Sequence, residues 1–371
     1  MNKKIAYLSH VPWSTIKQRP QFLAEQLSQD YKVFYIENKG VSAYIRRRGP
    51  VTKYLSIKNI EFIRVPWINP FKISSFFLNI FANCLNKLFR LTSLGRFNFD
   101  VIWITHPVMY EEYKSLIPIN TKIIYDCMDD ALEFKNHYIR REVLFNIEEE
   151  LVGRAEIVIC SAEHLRMKLK TRYKNLKNSI VINNAIEIPE SKNIDSIPDN
   201  IQTILSDLNN SQCPLVYVGA VSTWFDFSII QKVLDKYEWL SIALIGPCCV
   251  EIPKHERIKA YGAVDRQYIF PIMDHSFALI MPFQVNELIK SVNPVKLYEY
   301  IYTGKPAIAP RYGETEKFSD YVFLYDSVEE LMHILSDLRN GNAVMIDYKK
   351  RVDFAKNNTW SSRYQELKSI F

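Results

Sequence analysis

The stretch that decides the fold is residues 291–310, SVNPVKLYEYIYTGKPAIAP. Asn293 is a favourable N-cap, and Pro294 fits the first helical position, where a missing N–H costs nothing. Gly304 stands where a left-handed C-cap is expected, and Pro306 prevents the helix from continuing. The apolar residues that follow are typical of a short buried strand. The pattern therefore predicts a helix of about ten residues that leads into a strand of an α/β sheet.

Two charges in this predicted helix are not explained by packing. Lys296 lies in the first turn, where the partial positive charge of a helix N-terminus favours anions. A diphosphate bound at the helix start would account for it. Glu299 follows one turn later, where a carboxylate could accept hydrogen bonds from a ribose diol. The alternative is a solvated lysine and a surface glutamate, because most charged side chains are exposed.

The rest of the chain alternates between strand-like and helix-like segments. Apolar, β-branched segments occur at 4–10, 101–106 and 122–126, and helical patterns follow at 140–155 and 163–173. This alternation predicts parallel sheets covered by helices.

A polar, proline-containing segment at 186–212 predicts a linker, and the same alternation begins again after it. We therefore predict one Rossmann-like domain at 1–185 and a second at 186–350. A helix at 351–371 follows.

Composition limits the class of protein. A chain of 371 residues with 48% hydrophobic and 24% charged residues is typical of a globular protein with two domains. The six cysteines show no CxxC spacing, which predicts a reducing compartment rather than disulfides or a zinc site. No signal-peptide core is evident, and no apolar run reaches the roughly 18 residues of a spanning helix. We expect a cytoplasmic protein.

Basic residues are unevenly distributed, although the formal net charge is only +6. An early cluster comprises Arg46, Arg47, Arg48, Lys53 and Lys58. Residues 71–97 then repeat apolar side chains at helical spacing. Such a helix beside basic residues can lie on an anionic membrane surface, and packing against the first domain is the alternative. No motif interleaves basic residues with stacking aromatics, so no nucleic-acid partner is expected.

Glycines mark a candidate nucleotide site in the second domain. Gly219, Gly246 and Gly262 each stand at the end of a predicted strand, where a missing side chain lets the backbone approach a phosphate or a base. No GxGxxG follows any strand, which disfavours a classical NAD site.

Four motifs resemble those of GT-B glycosyltransferases, and together they span most of the chain. They are KQRPQFLAEQLS at 17–28, IIYDCMDD at 123–130, VGAVSTWFDF at 218–227 and NPVKLYEYIYTGKPAIA at 293–309. The resemblance is greatest to bacterial polysaccharide and teichuronic-acid-type enzymes. It implies a GT-B fold, with two Rossmann-like domains facing a cleft and a C-terminal helix that crosses back to the first domain. It also implies that the domain at 1–185 holds the acceptor and that the domain at 186–350 holds the nucleotide sugar.

The resemblance implies transfer of a sugar from a nucleotide sugar, expected to be UDP-linked, to a lipid-linked or polysaccharide acceptor. No cofactor and no metal ion are expected, because such enzymes generally stabilise the leaving diphosphate with helix dipoles and cationic side chains. In the best-known retaining family of this architecture a Glu stands eight residues before the position of Glu299, where this chain has Ser291. This difference favours an inverting reaction, as in relatives of the xanthan glucuronosyltransferase. A nucleotide-sugar 2-epimerase and a non-catalytic binding protein are the alternatives.

An inverting reaction needs a base for the acceptor hydroxyl. Asp126, Asp129 and Asp130 end a predicted strand, and crowded carboxylates raise one another's pKa. Helix capping is the alternative role, and His10 is a further candidate base. His106, in the sequence THP, is interpreted as a packed residue at a strand end rather than a catalyst. Arg19, before a predicted helix, could face the diphosphate or an anionic acceptor, and a solvated loop arginine is the alternative. The predicted nucleotide-sugar contacts are Arg19, Gly219, Trp224, Asp226, Gly246, Gly262, Val264, Asn293, Pro294, Lys296 and Glu299.

Overall fold

The computed structural model describes residues 3–41, 57–94, 98–134, 139–189, 197–344 and 347–370. The chain divides into two compact units, one of Met1–Asn183 with Arg363–Phe371 and the other of Asn184–Ser362. Each unit contains one parallel β-sheet with helices, which confirms the predicted α/β class. Four residues of the early basic cluster, Arg46, Arg47, Arg48 and Lys53, lie outside the described residues.

The first unit is built on seven strands: β1 Lys4–Ser9, β2 Lys32–Gly40, β3 Ile60–Trp67, β4 Val101–Ile104, β5 Lys122–Cys127, β6 Ile157–Cys160 and β7 Ser179–Val181. Its helices are α1 Arg19–Leu27, α2 Phe76–Leu94, α3 Pro107–Tyr113, α4 Arg141–Arg154 and α5 Glu163–Arg172, with short 3-10 turns at Pro70–Lys72 and Lys114–Leu116. The sheet order is β3-β2-β1-β4-β5-β6-β7, with every pair parallel. The winding therefore reverses between β1 and β4, where sheets of this kind bind ligands.

The second unit is built on six strands: β8 Cys213–Val218, β9 Leu240–Ile245, β10 Ile258–Gly262, β11 Ala278–Ile280, β12 Ala307–Pro310 and β13 Phe323–Tyr325. Its helices are α6 Asp199–Asn210, α7 Phe227–Lys236, α8 Ile269–Asp274, α9 Glu287–Lys290, α10 Val295–Thr303, α11 Gly313–Glu316, α12 Val328–Asn340 and α13 Tyr348–Asn357, with a 3-10 turn at Arg266–Tyr268. A last helix, α14 Trp360–Lys368, spans the boundary between the units. The sheet order is β10-β9-β8-β11-β12-β13, again parallel, and its winding reverses between β8 and β11.

Helices cover both faces of the second sheet, which explains why the sequences of its strands are continuous apolar runs. Alternate residues of β8 belong to different cores. Val216 and Val218 pack into the core that contains α10, whereas Leu215 and Tyr217 pack into the core that contains α7 and α12. The sheet is therefore the middle layer of a three-layer sandwich.

Two sequence predictions about secondary structure are wrong. The predicted linker at 186–212 contains helix α6, which buries Ile201, Ile204 and Leu208 along one face. Their i, i+3, i+7 spacing was obscured by the polar composition of the segment. The predicted single helix at 351–371 is divided between α13 and α14. The division occurs because the backbone around Asn358 pairs instead with Ile186.

Helix α2 exposes an apolar face. Its exposed apolar side chains are Phe76, Phe77, Leu78, Ile80, Phe81, Leu88 and Leu91. The side chains it buries are Ala82, Asn86 and Arg90. The predicted alternative, in which the apolar face packs against the first domain, is therefore wrong. Within the described residues, no helix is both long enough and apolar enough to cross a membrane.

Polar contacts attach α2 to the first unit. The Asn86 amide donates to the Ile68 carbonyl oxygen at 2.7 Å and accepts from the Ile68 N–H at 2.8 Å. One turn later, Arg90 forms a buried ion pair with Glu112. The helix thus buries polar groups that are paired and leaves large apolar groups in water, which reverses the usual arrangement.

A buried ion pair joins α1 to β5. Arg19 Nε lies 3.0 and 3.2 Å from the two carboxylate oxygens of Asp126, and Nη1 donates to the Ile182 carbonyl oxygen at 2.8 Å. Arg19 is 4% exposed and Asp126 is fully buried. The predicted roles of Arg19 as a diphosphate contact and of Asp126 as a base are therefore corrected, because each side chain is committed to the other.

We expect Asp126→Asn to lower the free energy of unfolding by about 3–5 kcal/mol, because Arg19 would remain buried without its counter-charge. Urea denaturation followed by circular dichroism measures the change. Asp129→Asn, two residues beyond the end of the same strand, is the matched control and should change stability far less. Equal stability of the two variants would contradict a structural role for the ion pair.

Candidate functional site

Asp130 is neutralised within the first unit. Its carboxylate accepts from Arg172 at 2.8 and 2.6 Å and pairs with Lys168 at 2.9 Å. It also accepts from the Leu132 N–H at 3.2 Å, so it caps a turn, whereas the predicted alternative was the capping of a helix. Burial alone would raise the pKa of Asp130, but Arg172 and Lys168 hold it below its usual value. This carboxylate is poorly suited to accept a proton.

Asp129 differs from its two neighbours. Among the described residues, its carboxylate has no hydrogen-bond or salt-bridge partner. Burial raises the pKa of Asp129 to about 6, and the charges of Asp130 and Asp126 act in the same direction, whereas that of Arg19 opposes them. A carboxylate with this pKa is mostly deprotonated near neutral pH and holds a proton more tightly than an ordinary aspartate, as suits a general base. Of the three predicted aspartates, Asp129 is the one that the geometry leaves available.

Asp129 lines a cavity of about 250 Å³ in the first unit. The lining residues lie at or just beyond the carboxyl ends of β1, β4 and β5, which are neighbours in the sheet, so the cavity lies at the reversal of the winding. Its volume is below the roughly 300–1,000 Å³ of complete small-molecule sites, so it suits one part of a ligand. The lining residues are His10, Thr105, His106, Tyr125, Met128, Asp129, Ala131 and Phe134.

Two histidines stand together in this cavity, with ring centroids 4.8 Å apart. His10 Nδ1 lies 3.0 Å from the Thr105 hydroxyl, and His106 Nδ1 accepts from the Val108 N–H at 3.2 Å. Although part of the His10 side chain is exposed, the protein around the ring desolvates it and lowers its pKa to about 4. Burial, together with the charge of His10, lowers the pKa of His106 to about 3. Both rings are therefore neutral at physiological pH.

In the second unit, three of the predicted glycines meet at the carboxyl ends of β8, β9 and β10. Gly246 N–H donates to the Gly262 carbonyl oxygen at 2.7 Å, and Gly219 N–H donates to the Ile245 carbonyl oxygen at 2.9 Å. A Cβ on Gly246 would lie 2.1 Å from the Gly219 carbonyl oxygen. Only glycine permits this approach, which opens the strand ends to a ligand.

Glu299 lies between two cations. Lys296 Nζ is 3.1 Å from one carboxylate oxygen, and Arg266 Nη1 is 3.0 Å from the other. Burial would raise the pKa of Glu299, but Lys296 and Arg266 together hold it below its usual value. Glu299 is 1% exposed and remains charged. Lys296 also extends toward the glycines, because a Cβ on Gly219 would lie 3.6 Å from Lys296 Cε.

The start of α10 differs from the sequence prediction by one residue. Pro294, rather than Asn293, occupies the N-cap position. Asn293 is buried, and its side-chain oxygen accepts from the Asn184 N–H at 2.9 Å while its amide donates to Glu314 at 3.1 Å. Its side chain is therefore used to position the chain before the helix.

Three other predicted contacts have local structural roles. Asp226 is the N-cap of α7 and accepts from the N–H groups of Ser228 and Ile229 at 3.0 and 3.2 Å. Trp224 and Val264 are half-buried and pack against the hydrophobic core of the second unit. Among the described residues, no hydrogen bond or ion pair joins these three side chains to Lys296 or Glu299.

Sequence reasoning missed Arg266 and assigned His106 to packing. Arg266 follows β10 and Gly262 in the sequence VDRQY, where a single basic residue carries no distinguishing pattern. Its proximity to Glu299 depends on how β10 and α10 pack. His106 follows β4, and its position at the end of a central strand was the available signal. Within the described ranges, no group of three or more His, Cys, Asp or Glu side chains is arranged to hold a metal ion.

Comparison with known proteins found one curated relative and many similar folds. No protein-family profile matches the chain. The curated relative is TuaH of Bacillus subtilis (strain 168), named for a glycosyltransferase role in teichuronic acid biosynthesis. It is 21% identical over 269 residues, which span 66% of this chain and 66% of TuaH.

Solved structures match over essentially the whole chain. Sucrose-phosphate synthase from Thermosynechococcus elongatus has a TM-score of 0.72 and 12% identity, with 99% of this chain and 98% of that chain covered. Anabaena HepE in complex with UDP-glucose has a TM-score of 0.66 and 14% identity, with both chains fully covered. The predicted resemblance is thus confirmed at the level of the fold: this chain has the GT-B fold of glycosyltransferases.

Proposed function

We propose that this protein transfers a sugar from a UDP-sugar to a hydroxyl group of a lipid-linked or polysaccharide acceptor, with inversion at the anomeric carbon. One observation carries the proposal. Glu299 is a buried, charged carboxylate between Lys296 and Arg266, at the glycine-lined strand ends of the second unit. That arrangement suits a nucleoside diphosphate, whose ribose needs acceptors and whose phosphates need cations.

In this proposal the second unit holds the donor. Glu299 accepts from the ribose hydroxyls with the lone pairs that its two cations leave unused. Lys296 and Arg266, with the N-terminus of α10, stabilise the leaving diphosphate in place of a metal ion. The UDP-glucose complex of HepE, on the same fold, supports a UDP-sugar as donor.

The first unit supplies the base and the acceptor site. Asp129 accepts the proton of the acceptor hydroxyl while that oxygen bonds to the anomeric carbon. The bond between this carbon and the diphosphate breaks, and UDP leaves with the electron pair. His10, in the same cavity, is the second candidate for the base. The name of TuaH supports a cell-surface polysaccharide as the acceptor class.

We also propose that the protein binds peripherally to the inner, anionic face of the cell membrane through α2. Phe77, Phe81, Cys84, Leu88 and Leu91 follow one another at i, i+4, i+7, i+11 and i+14, which aligns them along one side of the helix. Phe77 is 81% exposed and Phe81 62% exposed. Residues 62–99 contain no acidic residue. An apolar stripe without negative charge, flanked by exposed Lys72 and Lys87, fits an anionic lipid surface better than a protein of unspecified charge.

We expect Glu299→Ala to weaken UDP binding by about 10- to 100-fold, corresponding to the 1.5–3 kcal/mol of hydrogen bonds to a charged group. Isothermal titration calorimetry with UDP and 2′-deoxy-UDP measures both affinities. The variant should bind the two nucleotides equally, because the partner of the 2′-hydroxyl is gone. Glu187→Ala removes the other carboxylate of Arg266 and should keep the wild-type preference for UDP. A Glu299 variant that retains this preference would contradict the ribose contact.

We expect Asp129→Asn to lower the rate of UDP release from UDP-sugars by roughly 10²–10⁴, the usual contribution of a general base. UDP affinity should remain unchanged, because the nucleotide is assigned to the second unit. A coupled assay across a panel of UDP-sugars, with acceptor or with water, measures the rate. Interconversion of the sugars without UDP release would indicate an epimerase instead. Near-normal turnover in the variant would place the base elsewhere, and His10 would be the next candidate.

We expect the protein to co-sediment with phosphatidylglycerol vesicles and to dissociate as the salt concentration rises, because the attraction to lipid is partly electrostatic. The double change of Phe77 and Phe81 to Ser should lower the partition coefficient by at least about tenfold, since each buried Phe is worth about 1.5–3 kcal/mol. Ile119→Ser, at a 91% exposed site on a loop, is the control and should bind normally. Binding to neither phosphatidylglycerol nor phosphatidylcholine vesicles, with self-association in sedimentation velocity, would assign the stripe to a second copy.

A further inference from the structure

We propose that His106 holds the reacting hydroxyl of the acceptor by donating a hydrogen bond to its oxygen from Nε2. The inference rests on the proposed function, which places an acceptor hydroxyl in the cavity of the first unit. Neither the resemblance nor the comparisons assign a role to this residue. His106 acts here as a positioning residue beside the base.

The tautomer of His106 follows from its contact with the backbone. The Val108 N–H donates to His106 Nδ1 at 3.2 Å, as the N-cap contact of α3. A nitrogen that accepts a hydrogen bond carries no proton, so the proton of the neutral ring is on Nε2. Burial keeps the ring neutral, so this assignment holds at physiological pH. His106 Nε2 is therefore a donor, and no described residue accepts from it.

His10 takes the opposite tautomer. The Thr105 hydroxyl donates to the Leu8 carbonyl oxygen at 3.2 Å and accepts from the His10 N–H at 3.2 Å. Because its single proton is used in this way, the hydroxyl accepts from His10 Nδ1 at 3.0 Å. The proton of His10 is then on Nδ1, and its Nε2 is an acceptor. The two neighbouring rings thus offer one donor and one acceptor to the cavity.

A donor beside an acceptor matches the needs of a hydroxyl nucleophile. An alcohol oxygen has one proton and two lone pairs. If its proton points to Asp129, the proposed base, and one lone pair accepts from His106, the remaining lone pair has a single direction in which to attack. The donor at His106 Nε2 is therefore the feature that, with the carboxylate of Asp129 in the same cavity, suits a hydroxyl group.

The tautomers are tested without any activity. Long-range proton–nitrogen correlation spectra of ¹⁵N-histidine-labelled protein distinguish an Nε2–H from an Nδ1–H ring. The two residues are assigned by the signals lost in His106→Asn and His10→Asn. We expect His106 to carry its proton on Nε2 and His10 on Nδ1 at pH 7. Methyl β-D-glucoside at 100 mM should shift the Nε2 signal of His106. The opposite tautomer at His106, or no shift, would overturn the proposal.

Two substitutions separate the donor from the helix cap. Asn at 106 retains a side-chain oxygen near the position of Nδ1, so it can cap α3, but it presents no donor at the position of Nε2. Gln reaches the position of Nε2 with its amide but cannot cap. We expect His106→Asn to lower the rate of UDP release to water by about tenfold with an unchanged melting temperature. His106→Gln should keep most of the rate and melt about 2–4 °C lower.

The outcomes are distinguishable from failure of the proposed function. If the wild-type protein releases no UDP from any UDP-sugar, the proposed function fails, while the spectra and the glucoside shift still decide whether His106 donates to a hydroxyl. If the enzyme is active and His106→Asn retains the full rate, His106 serves only as a helix cap and the inference is overturned.

Discussion

Parallel strand pairing is the constraint on which the rest of this structure depends. Because all strands of a sheet run in one direction, their carboxyl ends meet at one edge, and a reversal of the winding opens a crevice there. The reversal lies between β1 and β4 in the first unit and between β8 and β11 in the second. The cavity with Asp129 and the glycines near Lys296 lie at these edges. Segments that are far apart in sequence therefore contribute to one site within each unit.

Charged side chains cluster at the same edges. Whether a carboxylate there is paired with cations distinguishes a role in binding from a role in proton transfer. Glu299 has two cations at hydrogen-bonding distance, so it stays ionised although it is buried. Asp126 and Asp130 are likewise paired with arginines. Burial, together with neighbours of like charge, raises the pKa of Asp129 to about 6. A permanently charged carboxylate suits a ribose contact, and a titrating one suits a base.

Helix α2 shows how polar contacts can hold an apolar surface in water. Asn86 satisfies both backbone groups of Ile68, and Arg90 is paired with Glu112, so the buried face has few unmet polar groups. The outward face of the helix is not covered by the first unit and exposes large apolar side chains. Exposed apolar area of this kind commonly marks an interaction surface. It lies in the same unit as the cavity with Asp129, which suits the lipid-linked acceptor proposed above.

The sequence by itself determined the α/β class, the resemblance to GT-B enzymes and the closely spaced features of α10, because these depend on periodicity and on residues a few positions apart. Tertiary structure decided which carboxylates are paired with cations. Asp126, Asp129 and Asp130 look alike in sequence, yet their different partners come from α1 and α5. It also brought Arg266 to Glu299 and turned the apolar face of α2 outward. Neither outcome is encoded in local pattern, because each depends on packing between elements that are distant along the chain.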